Sequence, residues 1–467
     1  MARISFFGGV GSVTGSKYLI ENGDSKVLVD CGLFQGLKEL KERNWRDLQF
    51  DPQSLDAVII THAHIDHTGF LPRLVKLGFE GPVYTSRATG DLMKILLPDS
   101  ARLQEEDARY RNRKGITTHS PALPLYETED AEKTLELLVQ VPNDGSSVRI
   151  SDNMTASFNV AGHILGASMV LVELERAREN GDSIKFLFSG DLGHYDQPIL
   201  KDPAPPPACD YLMVESTYGD RLHTEEKSDE HLARIINEAV KRDAPVLIPA
   251  FAVGRTQEIL YLIRELEEDK RIPVLPVFVD SPMAKQAIQV YNRWREEHDE
   301  EYASILSNQK HPLRTGLMTT AGSREESKAI NKKKGAIIII SSSGMLSGGR
   351  VMHHAMRILP NKDAVIVFVG YQAAGTKGRY IVNGDKEVKI MHEWIPVRCH
   401  IERIEGFSAH ADWKAVLRWL SGLPAPPQKV FTTHGEPESA EAMAEHIRSE
   451  FGWEVQVPEF EQSVELE

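Results

Sequence analysis

The chain has 467 residues, 41% hydrophobic and 26% charged, with a formal net charge of −14. These proportions exclude a disordered chain and predict a globular protein of two or three lobes, and the acidity argues against non-specific coating of nucleic acid. Apolar runs fall short of the roughly 18 residues of a membrane span. The start, Met1 to Gly9, reads as a strand-and-glycine pattern rather than a signal peptide. Three widely spaced cysteines, Cys31, Cys209 and Cys399, fit a reducing cytoplasm.

In chain order, residues 1–30 read as strands joined by glycine turns, the last ending at Asp30. A plain turn residue is the commoner fate of such an aspartate. Leu55 to Ile60 is a short apolar, β-branched run that predicts a buried strand. It leads into Thr61-His62-Ala63-His64-Ile65-Asp66-His67, four ligand-type residues within six positions. His62 and His64, two apart in extended chain, point the same way. Asp66 and His67 follow as the chain turns toward the helical pattern of residues 69–77, so their side chains diverge from the first pair. That divergence suits two adjacent metal ions, and imidazole with carboxylate is a donor set for zinc and its neighbours.

Residues 81–86 form another predicted strand, and 91–114 a charged helix with a solvated face. His163 follows a strand and is flanked by Gly162 and Gly166, which allow close backbone approach. The apolar run Ile184 to Phe188 leads to Asp191; His194 receives no role. Residues 202–208, Asp-Pro-Ala-Pro-Pro-Pro-Ala, are the best linker signal in the chain. A strand ending in Glu215 comes next. From about 222 to 390, strands and helices alternate, which predicts a mostly parallel sheet with helices on both faces. Within it, Ser341, Ser342, Ser343 and Gly344 open a loop running to Gly349 between a strand and a helical pattern. Such a loop suits a phosphate, or is an ordinary turn and cap. Arg255 and Arg379 are weaker phosphate candidates. The chain returns through Phe-Ser-Ala-His-Ala-Asp, carrying His410, a helix at 413–420, and a strand that ends in His434.

The run His-x-His-x-Asp-His after an apolar strand resembles the signature of the metallo-β-lactamase superfamily. Glu215 in Val-Glu-Ser-Thr-Tyr-Gly, His410 in Phe-Ser-Ala-His-Ala-Asp, His434 in Thr-Thr-His-Gly-Glu, and the large αβ insertion narrow the resemblance to its β-CASP branch, over nearly the whole chain. The resemblance implies an α/β fold: a metallo-β-lactamase αββα sandwich (1–207 and 396–467) with an inserted β-CASP domain (208–395), the active site in the cleft between them. It implies two zinc ions per chain, with manganese as an alternative. His62, His64 and His163 would hold one, Asp66, His67 and His434 the other, and Asp191 would bridge. Asp30 would orient a ligand or the bound water, and Glu215 would hold His410, the proton donor; Asp30, Asp66, Asp191, Glu215 and His410 make up the catalytic set. A histidine at 434 resembles RNA-directed members, in which the serine loop meets the RNA backbone. The implied function is a cytoplasmic ribonuclease, endonuclease or 5′-exonuclease, leaving 3′-hydroxyl and 5′-phosphate ends. A homodimer is an assembly the resemblance allows. The competing readings are a hydrolase of a small ester or thioester and a non-catalytic RNA-binding partner.

Overall fold

The computed structural model describes residues 2–467 apart from 117–120, 224–226, 309–310, 371, 373–374 and 405. Glu405, in the segment leading to His410, therefore lies outside the described residues. The chain divides into two compact units: Met1–Gln197 with Lys201–Leu222 and His410–Glu467, and Pro198–Leu200 with His223–Ala409.

In the first unit, two seven-stranded sheets face each other. One runs Ser463–Leu466, Ala2–Gly8, Lys17–Asn22, Ser25–Val29, Ala57–Ile60, Val83–Ser86, Leu138–Val141. The other runs Val455–Gln456, Lys429–Thr433, Tyr211–Glu215, Ile184–Phe188, Ser168–Leu174, Met154–Val160, Asp144–Ser151. Alternate residues of both sheets, among them Phe6, Ile20, Val29 and Ile59 from one and Phe158, Val172, Phe186 and Phe431 from the other, form a single buried core. Strand Ala57–Ile60 is buried along its whole length and pairs in parallel with Ser25–Val29 and Val83–Ser86. A central parallel strand covered on both faces must be apolar throughout, which is why this stretch shows no alternation. Strands Met154–Val160, Ile184–Phe188, Tyr211–Glu215 and Lys429–Thr433 run in one direction within the second sheet. Their C-terminal ends, where side chains of open αβ sheets converge, carry His163, Asp191, Glu215 and His434.

The second unit holds a six-stranded sheet in the order Leu317–Thr320, Pro276–Asp280, Ile338–Ser341, Val246–Pro249, Val365–Val369, His400–Ile404, every pair parallel. Val246, Ile248, Val277 and Val279 face one apolar cluster; Leu247, Phe278, Ile339 and Phe368 face another. Helices cover both faces, as the alternation of elements predicts.

Two boundaries differ from the sequence reading. The units divide at Leu222/His223 and Ala409/His410 rather than at 208 and 396. Strand Tyr211–Glu215 pairs with Ile184–Phe188 and Lys429–Thr433 and so belongs to the sandwich, whereas His400–Ile404 closes the edge of the other sheet. The proline-rich stretch is not a free linker. The Ala204 amide donates to the Val160 carbonyl, and the Trp419 indole donates to the Ala204 carbonyl, so the stretch is packed into the first unit.

Candidate metal centre

Each residue of the centre leaves the end of a strand. Asp30 follows Ser25–Val29, and the His62-to-His67 run follows Ala57–Ile60, turning into the short helix Ile65–Thr68. A side chain on Gly32 would come within 1.6 Å of the Asp66 carbonyl oxygen, so only glycine lets the 30–32 turn lie against the histidine loop. Asp30 (φ 58°) and His434 (φ 51°) both adopt left-handed backbone, a cost that non-glycine residues bear where the surroundings over-determine them.

Two groups of donors form around Asp191. In the first, His62 Nε2 lies 3.1 Å from His64 Nδ1, and His64 Nδ1 3.2 Å from His163 Nε2. Asp191 Oδ2 faces this group, 3.4 Å from His62 and 3.7 Å from His163. In the second, His67 Nε2 lies 3.1 Å from His434 Nε2, with Asp66 Oδ2 3.8 Å from the latter. Asp191 Oδ1 faces that group, 3.4 Å from His67 Nε2 and 3.3 Å from His434 Nδ1. Asp191 is buried, and among the described residues neither of its oxygens accepts a hydrogen bond. A carboxylate so placed is costly unless a cation compensates it.

The spacing fits metal ions. A tetrahedral shell at about 2.0–2.1 Å from zinc has donor–donor edges of about 3.3 Å, close to the separations in both groups. The electrostatics agree. Burial, followed by the neighbouring imidazoles, pushes the His62 pKa well down. Burial lowers His64 to about 4 against the pull of Asp66. Burial opposes ionisation of Asp66, but the hydrogen bond to His434 and the nearby imidazoles hold its pKa well below the usual carboxylate range. Burial also opposes a charge on His67, yet Asp191, Asp30 and Asp66 raise it to about 10. With protons alone, the imidazoles of His67 and His410 are the groups favoured to carry compensating charge; a divalent cation does so while leaving imidazole neutral, the form that ligates.

Surrounding groups fix the tautomers. Asp30 Oδ2 accepts from His67 Nδ1 at 2.8 Å, leaving Nε2 toward His434, and Asp30 also accepts from the Thr61 amide and hydroxyl. Thr61 Oγ1 lies 3.1 Å from His62 Nδ1. The Thr217 hydroxyl donates to the His434 carbonyl and sits 3.1 Å from His434 Nδ1. Sequence reading missed both threonines, although each adjoins a motif: Thr61 precedes His62, and Thr217 lies two residues beyond Glu215. Glu215 Oε2 accepts from His410 Nδ1 at 2.9 Å, and its Oε1 accepts from the Leu192 amide. Burial disfavours charge on His410, but Glu215, Asp191 and Asp66 raise its pKa to about 9. His410 remains 21% exposed, whereas His62, His67, His163 and His434 are buried.

The phosphate candidates lie in the second unit. Ser341 Oγ donates to the Asp280 carbonyl, Ser342 Oγ to Ser281 Oγ, and Ser343 Oγ pairs with Ser347 Oγ at 2.9 Å. The Gly344 carbonyl accepts from Gln372 Nε2. Arg255 pairs with Glu258 and stacks over Phe407 at 5.5 Å, which commits it to packing within that unit. Arg379 makes no ion pair among the described residues.

Comparison with known proteins agrees with this architecture. Family models match residues 11–141 (metallo-beta-lactamase superfamily), 256–381 (Beta-Casp domain) and 394–458 (Zn-dependent metallo-hydrolase RNA specificity domain). The chain is 35% identical to Ribonuclease TTHA0252 of Thermus thermophilus over 99% of both chains. It is 30% identical to transcription termination factor FttA of Methanocaldococcus jannaschii, covering 98% of this chain and 70% of that one. A crystal structure of a protein of unknown function from Enterococcus faecalis V583 shares the fold over the full length of both chains, with a TM-score of 0.54 at 15% identity. The chain belongs to the β-CASP family of the metallo-β-lactamase superfamily.

Proposed function

We propose that this protein is a metal-dependent ribonuclease that hydrolyses RNA phosphodiester bonds to 3′-hydroxyl and 5′-phosphate ends. Asp191 carries the reading: a buried carboxylate with no hydrogen bond to either oxygen among the described residues, each oxygen turned to a separate cluster of imidazoles. RNA as substrate is supported by the relative named a ribonuclease and by the RNA specificity model that spans His410 and His434.

His62, His64 and His163 would hold one cation, Asp66, His67 and His434 the other, with Asp191 between; zinc suits the donors best, and manganese is the alternative. Such cations supply a water of lowered pKa and neutralise charge that builds on the phosphate. The rest falls to the chain's own side chains. Asp30, Thr61 and Thr217 keep ring nitrogens turned inward by binding the opposite nitrogen of His67, His62 and His434. His410, held through Nδ1 by Glu215, gives its proton to the departing 3′-oxygen. The Ser341–Gly349 loop takes an RNA phosphate through Ser342, Ser343 and Gly344, and Arg379 is the stronger arginine candidate because Arg255 is paired with Glu258. The expected setting is the cytoplasm, and no helix among the described residues is long and apolar enough to cross a membrane.

The test uses one labelled RNA with 5′-monophosphate, triphosphate or hydroxyl ends, together with its closed circle and a panel of chromogenic esters. Cutting of the circle shows endonuclease action; mononucleotides released only from monophosphate ends show a 5′-exonuclease. Turnover of esters with intact RNA in every form would overturn the proposal.

A further inference from the structure

We infer that Asp280 is a positioning residue for the serine loop: it pins both ends of Ser341–Gly349 and so sets the shape in which the loop meets an RNA phosphate. The inference rests on the reading that this loop takes phosphate.

Asp280 ends strand Pro276–Asp280 and is the register partner of Ser341. Its carbonyl oxygen accepts from Ser341 Oγ at 2.9 Å, which holds the entry to the loop. Its Oδ1 accepts from Arg350 Nη1 at 2.7 Å, which holds the exit. Arg350 also donates to the carbonyls of Ala321 and Gly322, so it cannot swing away without losing three bonds. Asp280 Oδ2 accepts from Ser327 Oγ at 2.5 Å and from His354 Nε2 at 2.7 Å, and His354 Nδ1 faces Asn331 Oδ1 at 2.9 Å. Next in the chain, Ser281 Oγ accepts from Ser342 Oγ.

An ionised carboxylate at zero exposure costs stability unless its oxygens are hydrogen-bonded, and here three donors, Arg350, Ser327 and His354, meet them. The carboxylate's donors come from helix Arg324–Ile330, helix Val351–Ile358 and Arg350 at the loop's exit, while Ser341 at its entry bonds the Asp280 main-chain carbonyl. Between those ends the loop closes on itself. Gly349 has φ +82°, and a Cβ there would lie 2.8 Å from the Ser342 carbonyl oxygen. The side chains of Asp280 and His354 are both sealed from solvent. They cannot touch RNA, so any effect of Asp280 on RNA must pass through the loop.

The test compares Asp280→Asn and Ser327→Ala with Gly349→Ala, which deforms the loop without touching the carboxylate. Steady-state kinetics are measured on RNA and on bis-nitrophenyl phosphate, together with bound metal. Loss of one charge-assisted contact predicts a KM for RNA raised about tenfold in Asp280→Asn, with kcat held within about threefold. Ser327→Ala, which keeps the charge and is safer for folding, should raise KM about threefold. Metal content and turnover of the small diester should stay at wild-type values in both. If Gly349→Ala raises KM and neither network variant does, the positioning role falls while the phosphate loop stands. If none of the three changes KM, the loop does not take phosphate and both ideas fall. Equal losses on RNA, the small diester and metal in both network variants would mark Asp280 as merely structural and overturn the inference.

Discussion

Glu215 and His410 stand 195 residues apart in the chain, yet Glu215 Oε2 accepts a 2.9 Å hydrogen bond from His410 Nδ1 beside Asp191. Glu215 is the last residue of a buried strand, and its other oxygen is held by the Leu192 amide, so it acts as a fixed support. His410 is aimed by that support and is the more open of the two.

This arrangement separates His410 from His434. His410→Ala should keep its metal and lose about 10²–10⁴ in RNA cleavage, the usual worth of a general acid. A nitrophenolate departs without a proton, so the same variant should retain much of the wild-type turnover of bis-nitrophenyl phosphate. His434→Ala removes a nitrogen 3.1 Å from His67 Nε2 and should lower metal content and both activities together. An equal loss on both substrates in His410→Ala would remove it as proton donor.

Among the described residues, Asp30 hydrogen-bonds the centre through His67 and Thr61. Asp30→Asn should therefore weaken metal affinity about 10–100-fold, the cost of losing such an outer partner, and leave the fold intact. Competition with a metal-binding dye reads the affinity, and circular dichroism reads the fold. Unchanged affinity would mean that the Asp30 carboxylate does not set the orientation of His67.

Lys17 offers a test of the fold's electrostatics. It is buried, donates to the Gly32 and Gly15 carbonyls, and lies over Phe34 and Phe70 at 4.8 and 4.5 Å. Burial lowers its pKa from 10.5 to about 8, with Cys31 opposing weakly. The Cys31 thiol is itself pushed up to about 12 by burial and stays neutral in that range. Between about 8 and 10.5 the unfolded chain binds more protons than the folded one, so Lys17 makes stability rise with pH across this window. Urea unfolding of Lys17→Met should show a smaller rise than wild type, the difference reaching at most about 1.4 kcal/mol per pH unit. Identical slopes would contradict a depressed Lys17.

The sequence was most readable where one strand end carries its own chemistry. His62, His64, Asp66 and His67 occupy six positions, and only the family resemblance groups them with His163, Asp191 and His434; in space His62, His64, His163 and Asp191 lie together, as do Asp66, His67 and His434. The alternation after residue 222 likewise reads directly as a parallel sheet, because covered strands must be apolar. Long-range pairing was not readable. Nothing local shows that Tyr211–Glu215 pairs with Lys429–Thr433, or that a proline run would be held by Trp419. The threonines behind His62 and His434 were hidden for a related reason: a hydroxyl acquires its role from what the fold brings beside it. Arg255 misled in the opposite way, since an arginine near a glycine looks available until Glu258 and Phe407 are seen to occupy it.

The most direct test of a two-cation centre built on Asp191 is a titration. Protein stripped by chelation is supplied with zinc in steps while cleavage of a single labelled RNA is followed beside bound metal, in wild type and Asp191→Ala. Cleavage should be absent from the stripped protein, return fully only near two equivalents per chain, and leave 5′-phosphate ends. Asp191→Ala should bind little metal and cleave no RNA at any loading. Full cleavage by the stripped protein, or an Asp191→Ala variant that holds two ions and turns over near the wild-type rate, would contradict the account.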